Sequence, residues 1–311
     1  SMGPENQHAG LGKVVRPPRL KAGDTIGIAA PSGPFESDLF EQGMDVLRGM
    51  GFNVHIPEAI FRRNGFLAGP DEARAGVINT LFADPDIQGI LCARGGYGAT
   101  RVLPHLDWKM IRRHPKAFVG FSDITVLHCV LLANAHLVSL PGPMGPPLGK
   151  SPDTWRGMLR QALTSDNALE LAPSGVTVLN HGEATGPVMG GNLTMLCHLV
   201  GTPYAPNYQG CLLFIEDVTE APYRIDRMLV QMKLAGCFDG VAGLVLGEFE
   251  DCGKTAEIHE VFMGIFGPLG IPVVAGFPIG HGTENATLPI GLEARLTTQP
   301  PQLAYFEAAT A

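Results

Sequence analysis

The stretch AFVGFSDIT, residues 117–125, runs from β-compatible apolar residues straight into a serine and an aspartate, with no polar loop between. Residues 117–121 read as a strand, and the spacing over residues 123–135 predicts a helix beginning beside Ser122. The pattern repeats upstream. Residues 24–30 (DTIGIAA) form an apolar run that ends in Pro31-Ser32-Gly33-Pro34. Residues 39–50 have helical spacing and stop at Gly51, a C-cap signal. Residues 52–56 read as a short strand. Residues 70–82 read as a helix with Pro70 at its start and acids in its first turn. Residues 87–93 are a buried strand that runs into Arg94-Gly95-Gly96-Tyr97-Gly98. Strands alternating with helices imply right-handed crossovers and a parallel sheet.

Downstream, PGPMGPPLGKSP (residues 141–152) is dense in proline, and a helix is not expected to continue through it. Helical spacing returns over residues 153–163. The second half then alternates again. A helix follows Gly190-Gly191-Asn192 as far as residue 200, strands are expected at 211–216, 241–246 and 271–277, helices at 222–235 and 257–266, and short strands in the tail 287–306. The organisation read from this is a disordered or tag-like segment over residues 1–20, a first domain over 21–145, a linker over 146–180 and a second domain over 181–311.

Composition narrows the function classes. The chain has 311 residues, 45% of them hydrophobic and 17% charged, as in a packed globular protein with room for two domains. A net charge of −8 argues against nucleic acid as partner. The start of the chain lacks a signal-peptide apolar core, and no run approaches the ~20 apolar residues that span a bilayer, so a cytoplasmic protein with no membrane partner is expected. Six cysteines, without a C-x-x-C pair, sit mostly in apolar runs and read as buried free thiols.

Ser122 falls where a parallel sheet binds ligands, at the carboxyl end of a strand. The adjoining helix N-terminus favours developing negative charge there, which suits acyl transfer. Serine is also a favoured N-cap, and the motif departs from G-x-S-x-G because the second glycine is absent. The glycines at 95, 96 and 98 permit close backbone approach and an anion-binding nest, for an oxyanion or a phosphate. Glu216 and Asp217 end an apolar strand, where a carboxylate needs a partner or solvent. Glu216, nearer the strand, is the better candidate to be held rigidly, and Asp217 to cap the following turn. His281 lies between Gly280 and Gly282 after another strand, with an accessible ring. His128 and His198 lie on apolar helical faces and read as core. A hydroxyl, an imidazole and a carboxylate at the ends of three strands are the components of a nucleophilic triad.

Residues 26–34 (IGIAAPSGP), 92–98 (CARGGYG), 119–125 (VGFSDIT), 215–228 (IEDVTEAPYRIDRM) and 276–287 (GFPIGHGTENAT) together resemble the LD-carboxypeptidases, the serine peptidase family that includes the microcin C immunity peptidases. The resemblance runs from about residue 20 to 306. It implies a Rossmann-like parallel-sheet N-terminal domain plus a smaller C-terminal α/β domain, with the site between them. It makes Ser122 the nucleophile, His281 the general base, Glu216 the residue that orients it, and the backbone N–H groups of Gly96 and Asp123 the oxyanion hole. It implies no metal or organic cofactor, a homodimer, and release of the terminal D-Ala from a murein tetrapeptide in peptidoglycan recycling. The alternative within the family is a peptidase for microcin-like peptide–nucleotides. The short stretch between residues 200 and 211 favours the murein substrate, because the microcin-directed relatives tend to carry an extended loop in that half. Arg94, Tyr223 and Arg224, beside the motifs, are candidates to hold the substrate's free carboxylate. Readings from other classes are a nucleotide-binding protein using the glycine loops and a non-catalytic two-lobed ligand-binding protein. Against the first, neither G-x-G-x-x-G after the first strand nor G-x-x-x-x-G-K-[ST] occurs.

Overall fold

The computed structural model describes residues 13–311. Five strands, β1 (Thr25–Ala29), β2 (Asn53–His55), β3 (Gly89–Cys92), β4 (Ala117–Gly120) and β5 (Leu140–Pro141), form one sheet in the order β2-β1-β3-β4-β5. All of its pairings are parallel. The strand order reverses between β1 and β3, and that switch point opens a crevice at the carboxyl ends of the strands. The loops that leave β1 and β3 meet there, where the Gly33 N–H donates to Gly95 O at 3.0 Å.

Helices α1 (Ser37–Gly49), α2 (Asp71–Ala83), α3 (Ala99–Val102), α4 (Trp108–Arg113) and α5 (Thr125–Ala135) connect and cover this sheet. α5 is apolar all round and buried along nearly its whole length, as expected of a helix with neighbours on every side. The expected helix over 123–135 thus begins as a single 3₁₀ turn, Ser122–Ile124, before α5 proper.

The Pro-rich segment is partly helical, although no helix is expected through it. Residues 145–150 form a helix, α6 (Gly145–Lys150), whose Pro146 and Pro147 occupy the first helical positions, where a missing N–H costs nothing. α6 packs on α1 so closely that a Cβ on Gly43 would lie 2.2 Å from Gly145 O. α7 (Asp153–Thr164) follows, and its Leu163 carbonyl accepts from the Leu20 N–H at 2.9 Å. β6 (Glu170–Leu171) and β7 (Thr177–Asn180) then become the outermost strands, at opposite edges, of the second sheet.

The second sheet has eight strands in the order β6-β13-β12-β8-β9-β10-β11-β7. Its added members are β8 (Glu183–Asn192), β9 (Leu212–Val218), β10 (Gly243–Glu250), β11 (Val273–Ala275), β12 (Glu293–Thr298) and β13 (Pro301–Tyr305). The central four, β8 to β11, run parallel, and the outer strands are antiparallel. α8 (Leu193–His198), α9 (Pro222–Leu234) and α10 (Thr255–Phe266) connect the parallel strands.

Of the segment expected to be disordered or tag-like, residues 1–12 lie outside the described residues. Residues 13–20 are fixed to the body. Val15 bridges to Leu137, the Arg19 N–H donates to Ala311 O, and the Ala311 N–H donates to Pro17 O, both at 2.9 Å. The two sheets are joined beside the crevice. The Ile290 N–H donates to Ser139 O (2.9 Å), and the Asn192 N–H donates to Thr125 Oγ1 at the head of α5 (3.1 Å). Among the described residues, no helix is long and apolar enough to cross a membrane, and the six cysteines are unpaired, five of them buried.

Candidate active site

The turn after β4 is sharp and strained. Ser122 has φ +65°, which a residue with a Cβ adopts only when its surroundings force it. Gly120 makes the turn possible, since a Cβ there would lie 2.5 Å from Ile124 Cγ2. Ile124 occupies the place of the missing second glycine and folds back over Gly120. The turn presents the hydroxyl to the crevice at the mouth of the sheet.

Three side chains from three strand ends converge there. The Ser122 hydroxyl is 2.9 Å from His281 Nε2, and His281 Nδ1 is 2.9 Å from Glu216 Oε2. A carboxylate only accepts, so Nδ1–H donates to Glu216 and Nε2 is left to accept the Ser122 proton. Glu216, at the end of β9, is fully buried. Burial pushes its carboxyl above the ordinary value, while the imidazole and the Asn192 amide, donating to Oε1 at 3.2 Å, pull the other way. Burial by itself would lower His281. The Glu216 hydrogen bond and charge, with the charges of Asp217 and Glu250, outweigh that and hold the imidazole above its ordinary value. The ring also rests on Phe121, centroid to centroid 4.8 Å.

Asp217 accepts from Thr194 N (3.0 Å) and Thr194 Oγ1 (2.7 Å) at the start of α8, as well as from Val218 N (2.8 Å). It secures the neighbouring helix as much as the turn after its own strand. The glycines around His281 serve close approach as well as ring access. A Cβ on Gly282 would lie 2.2 Å from a Glu248 carboxylate oxygen, and one on Gly280 would lie 2.9 Å from Glu248 Cβ. The Glu248 N–H donates to Ile279 O at 2.7 Å, so β10 holds the histidine loop from beneath.

The oxyanion candidates lie on both sides of the serine. Gly96, at φ +97°, lines the cavity in front of Ser122, and the Asp123 N–H follows the serine in the 3₁₀ turn. A Cβ on Gly95 would stand 3.1 Å from Ser122 Cβ, which measures how near the glycine loop comes to the hydroxyl. The buried Asp123 carboxylate binds this assembly together, accepting from Ser32 Oγ (2.6 Å) and the Ala99 N–H (2.8 Å) through one oxygen. Burial raises its pKa against those two donors. Beneath the same loops, buried Arg74 donates to the carbonyls of Gly69 and Gly98, both at 2.9 Å, and to that of Pro31.

The hydroxyl opens into a cavity of about 440 Å³. Arg94 lines it, with one guanidinium N–H donating to Pro34 O at 2.6 Å. Met144, Pro146 and Pro147 form an apolar wall, and no Asp or Glu is among the lining residues. Tyr223 and Arg224 are elsewhere. They stand exposed at the start of α9, bonded to each other at 3.1 Å, and neither lines the cavity. Asn192, Arg74, Glu248 and Asn285 were not singled out from sequence. Gly190-Gly191-Asn192 was visible as a motif, but its asparagine acquires a role only from the pairing of β8 with β9. Among the described residues, no group of three or more His, Cys, Asp or Glu is placed to hold a metal ion.

A strained serine, an imidazole and a buried carboxylate in relay, with backbone N–H groups nearby, can carry out acyl transfer. Comparison with known proteins gives the family. Residues 26–142 match the LD-carboxypeptidase N-terminal domain and residues 185–296 the LD-carboxypeptidase C-terminal domain. A putative carboxypeptidase of Synechocystis is 39% identical, over 94% of this chain and 97% of its own. A probable murein peptide carboxypeptidase of Bacillus subtilis is 35% identical, over 91% and 92%. Among solved structures, an MccF-like protein of Bacillus anthracis superposes with TM-score 0.88 at 27% identity, over 94% of this chain and 99% of that one. A muramoyltetrapeptide carboxypeptidase of Oxalobacter formigenes superposes with TM-score 0.79 at 32% identity, over 90% and 98%. With both of its domains matched in order around one site, the chain belongs to the LD-carboxypeptidase family of serine peptidases.

Proposed function

We propose that the chain is a serine LD-carboxypeptidase that releases the terminal D-Ala of a murein tetrapeptide through an acyl-enzyme, in cytoplasmic peptidoglycan recycling. The observation that carries this reading is the relay from Ser122 through His281 to Glu216 at the mouth of the cavity. Ser122 attacks the scissile carbonyl as His281 Nε2 takes its proton. The N–H groups of Gly96 and Asp123 receive the oxyanion. His281 returns the proton to the departing amine, and water, activated by the same imidazole, hydrolyses the ester. The Arg94 guanidinium, with no carboxylate beside it in the cavity lining, supplies positive charge for the free carboxylate that defines a carboxypeptidase substrate.

The murein peptide carboxypeptidases among the relatives support the substrate class. The likeness to an MccF-like protein supports a second reading, a peptidase for microcin-like peptide–nucleotides. The short connection between α8 and β9, residues 199–211, favours the murein peptide. The assembly we propose is a homodimer, to be checked by light scattering of the purified chain.

The test is mass spectrometry of products from a tetrapeptide panel with a peptidyl nucleotide alongside. Loss of one D-Ala from L-D-linked peptides only is expected, and Ser122→Ala should bring turnover to near background while the circular dichroism spectrum is kept. Near-normal turnover by that variant would refute the assignment.

A further inference from the structure

Asn285 is 6% exposed and lines the cavity. Its Oδ1 accepts from the Gly280 N–H across 3.4 Å, its single side-chain hydrogen bond among the described residues. Because an N–H must meet an acceptor, that contact decides which way round the amide sits. The NH₂ group has no protein partner among the described residues and is not one of the sealed polar atoms, so it is open to the cavity that Asn285 lines. The site therefore holds a fixed, neutral, two-proton donor that nothing in the fold uses.

Its place in the cleft says which part of a substrate it meets. Asn285 belongs to the loop of His281 and is tied to the residue just before it. The imidazole must hand its proton to the leaving amine, so the departing residue lies on this side of the cleft, whereas the N–H groups of Gly96 and Asp123 face the oxyanion. In a C-terminal amino acid, the carboxylate carbon is only three bonds from the scissile carbon. The side chain charges around this position are known. The Glu248 carboxylate lies against Gly282 and does not line the cavity, Glu284 is exposed and does not line it either, and among the described residues Arg94 is the one Lys or Arg that does.

We propose that the Asn285 amide holds the carboxylate of the leaving D-amino acid, together with Arg94, and so selects peptides that end one residue beyond the scissile bond. The inference rests on the carboxypeptidase reading and names the group that makes it an exopeptidase. Two oxygens on the ligand meet one charged and one neutral donor. A neutral donor on the histidine side adds hydrogen bonding without placing a second cation beside the imidazole.

The test uses Asn285→Asp, which keeps Oδ1 for the Gly280 N–H and replaces the donor by an acceptor of nearly the same shape. Binding is measured by calorimetry in the Ser122→Ala background, with a murein tetrapeptide and with the same peptide ending in a carboxamide. The measurement therefore stands apart from turnover. With Asn285 intact, the free acid is expected to bind more tightly. Asn285→Asp should weaken the acid by about 10–100-fold, the worth of a hydrogen bond to a charged group. The carboxamide, which can donate to an aspartate, should change much less. Equal losses on both peptides, an unchanged acid, or no binding of either peptide overturns the proposal. A chain that binds with this preference yet fails to release D-Ala overturns the reaction reading and leaves the carboxylate site standing.

Discussion

Ser122, His281 and Glu216 are separated by 159 and 65 positions along the chain, and each meets the next at 2.9 Å. On the proposed mechanism, the chemistry at this scale depends on the charge of a single buried carboxylate, Glu216. The His281 pKa is held up chiefly by Glu216 acting against burial. The base works only when neutral, so kcat/KM should rise with pH as His281 deprotonates, with a midpoint above the usual imidazole value of about 6.5. Glu216→Gln removes the largest of the charges that oppose burial and leaves only those of Asp217 and Glu250. The acid limb is expected to move to lower pH, and the plateau to fall by on the order of 10³–10⁴, because an amide does not hold the productive tautomer. A pH–rate profile of both proteins checks this, and an acid limb that stays in place would contradict the assignment of His281 as base. Ser122 itself was legible from its place between strand and helix. Its positive φ was not, since that strain arises from Ile124 closing over Gly120 and from a glycine loop pressed to within van der Waals contact.

Among elements, the β4–α5 unit is held by a second histidine that takes no part in the relay. His128 Nε2–H donates to Gly120 O at 2.9 Å, and Nδ1 accepts from Ser139 Oγ at 2.7 Å. Burial pushes its pKa down to about 4, so it is neutral in the folded chain. The unfolded chain takes up a proton near pH 6.5 and the folded chain does not, so this group withdraws stability as pH falls from about 6.5 towards 4. Denaturant unfolding at pH 7 and pH 5 should differ by about 2 kcal/mol on this account, and His128→Gln, which lacks the titration, should show a smaller difference. An identical pH dependence in the variant would exclude the effect.

The same scale shows where reading from sequence succeeds. Apolar strands such as β3 and β9, buried on both faces, and periodic helices such as α1 and α9, buried on one, carry their own signal because burial imposes the pattern. α6 is hidden in the sequence because prolines break helix interiors, although two at the start of a helix are tolerated. Most of β8 was missed because Gly186, Pro187, Gly190 and Gly191 make a poor strand alone. It is one because neighbouring backbones approach, and a Cβ on Gly190 would lie 1.9 Å from Phe214 O. Tyr223 and Arg224 lie beside a motif, but one-dimensional proximity does not say which way the start of α9 faces.

At the scale of the molecule, the site exists because two sheets are seated on each other at a narrow contact. The end of β8 touches the head of α5, where Gly191 has φ +142° and a Cβ would fall 2.6 Å from Thr125 Oγ1. Gly191→Ala should therefore shift Glu216 and His281 relative to Ser122. A displacement near 1 Å typically costs about 10²-fold in rate. A loss of that size in kcat, with the urea midpoint only modestly lowered, is expected. Full activity would show that the contact does not set the alignment.

Ser122 comes from one sheet, and His281 and Glu216, which meet it in relay, come from the other. On the proposed mechanism, turnover is a logical AND performed on two pieces of polypeptide. Fragments made separately, one ending in the connection before β6 and one beginning there, would each be silent. Their product signal would appear only on reunion, which makes the chain a reporter of its own reassembly.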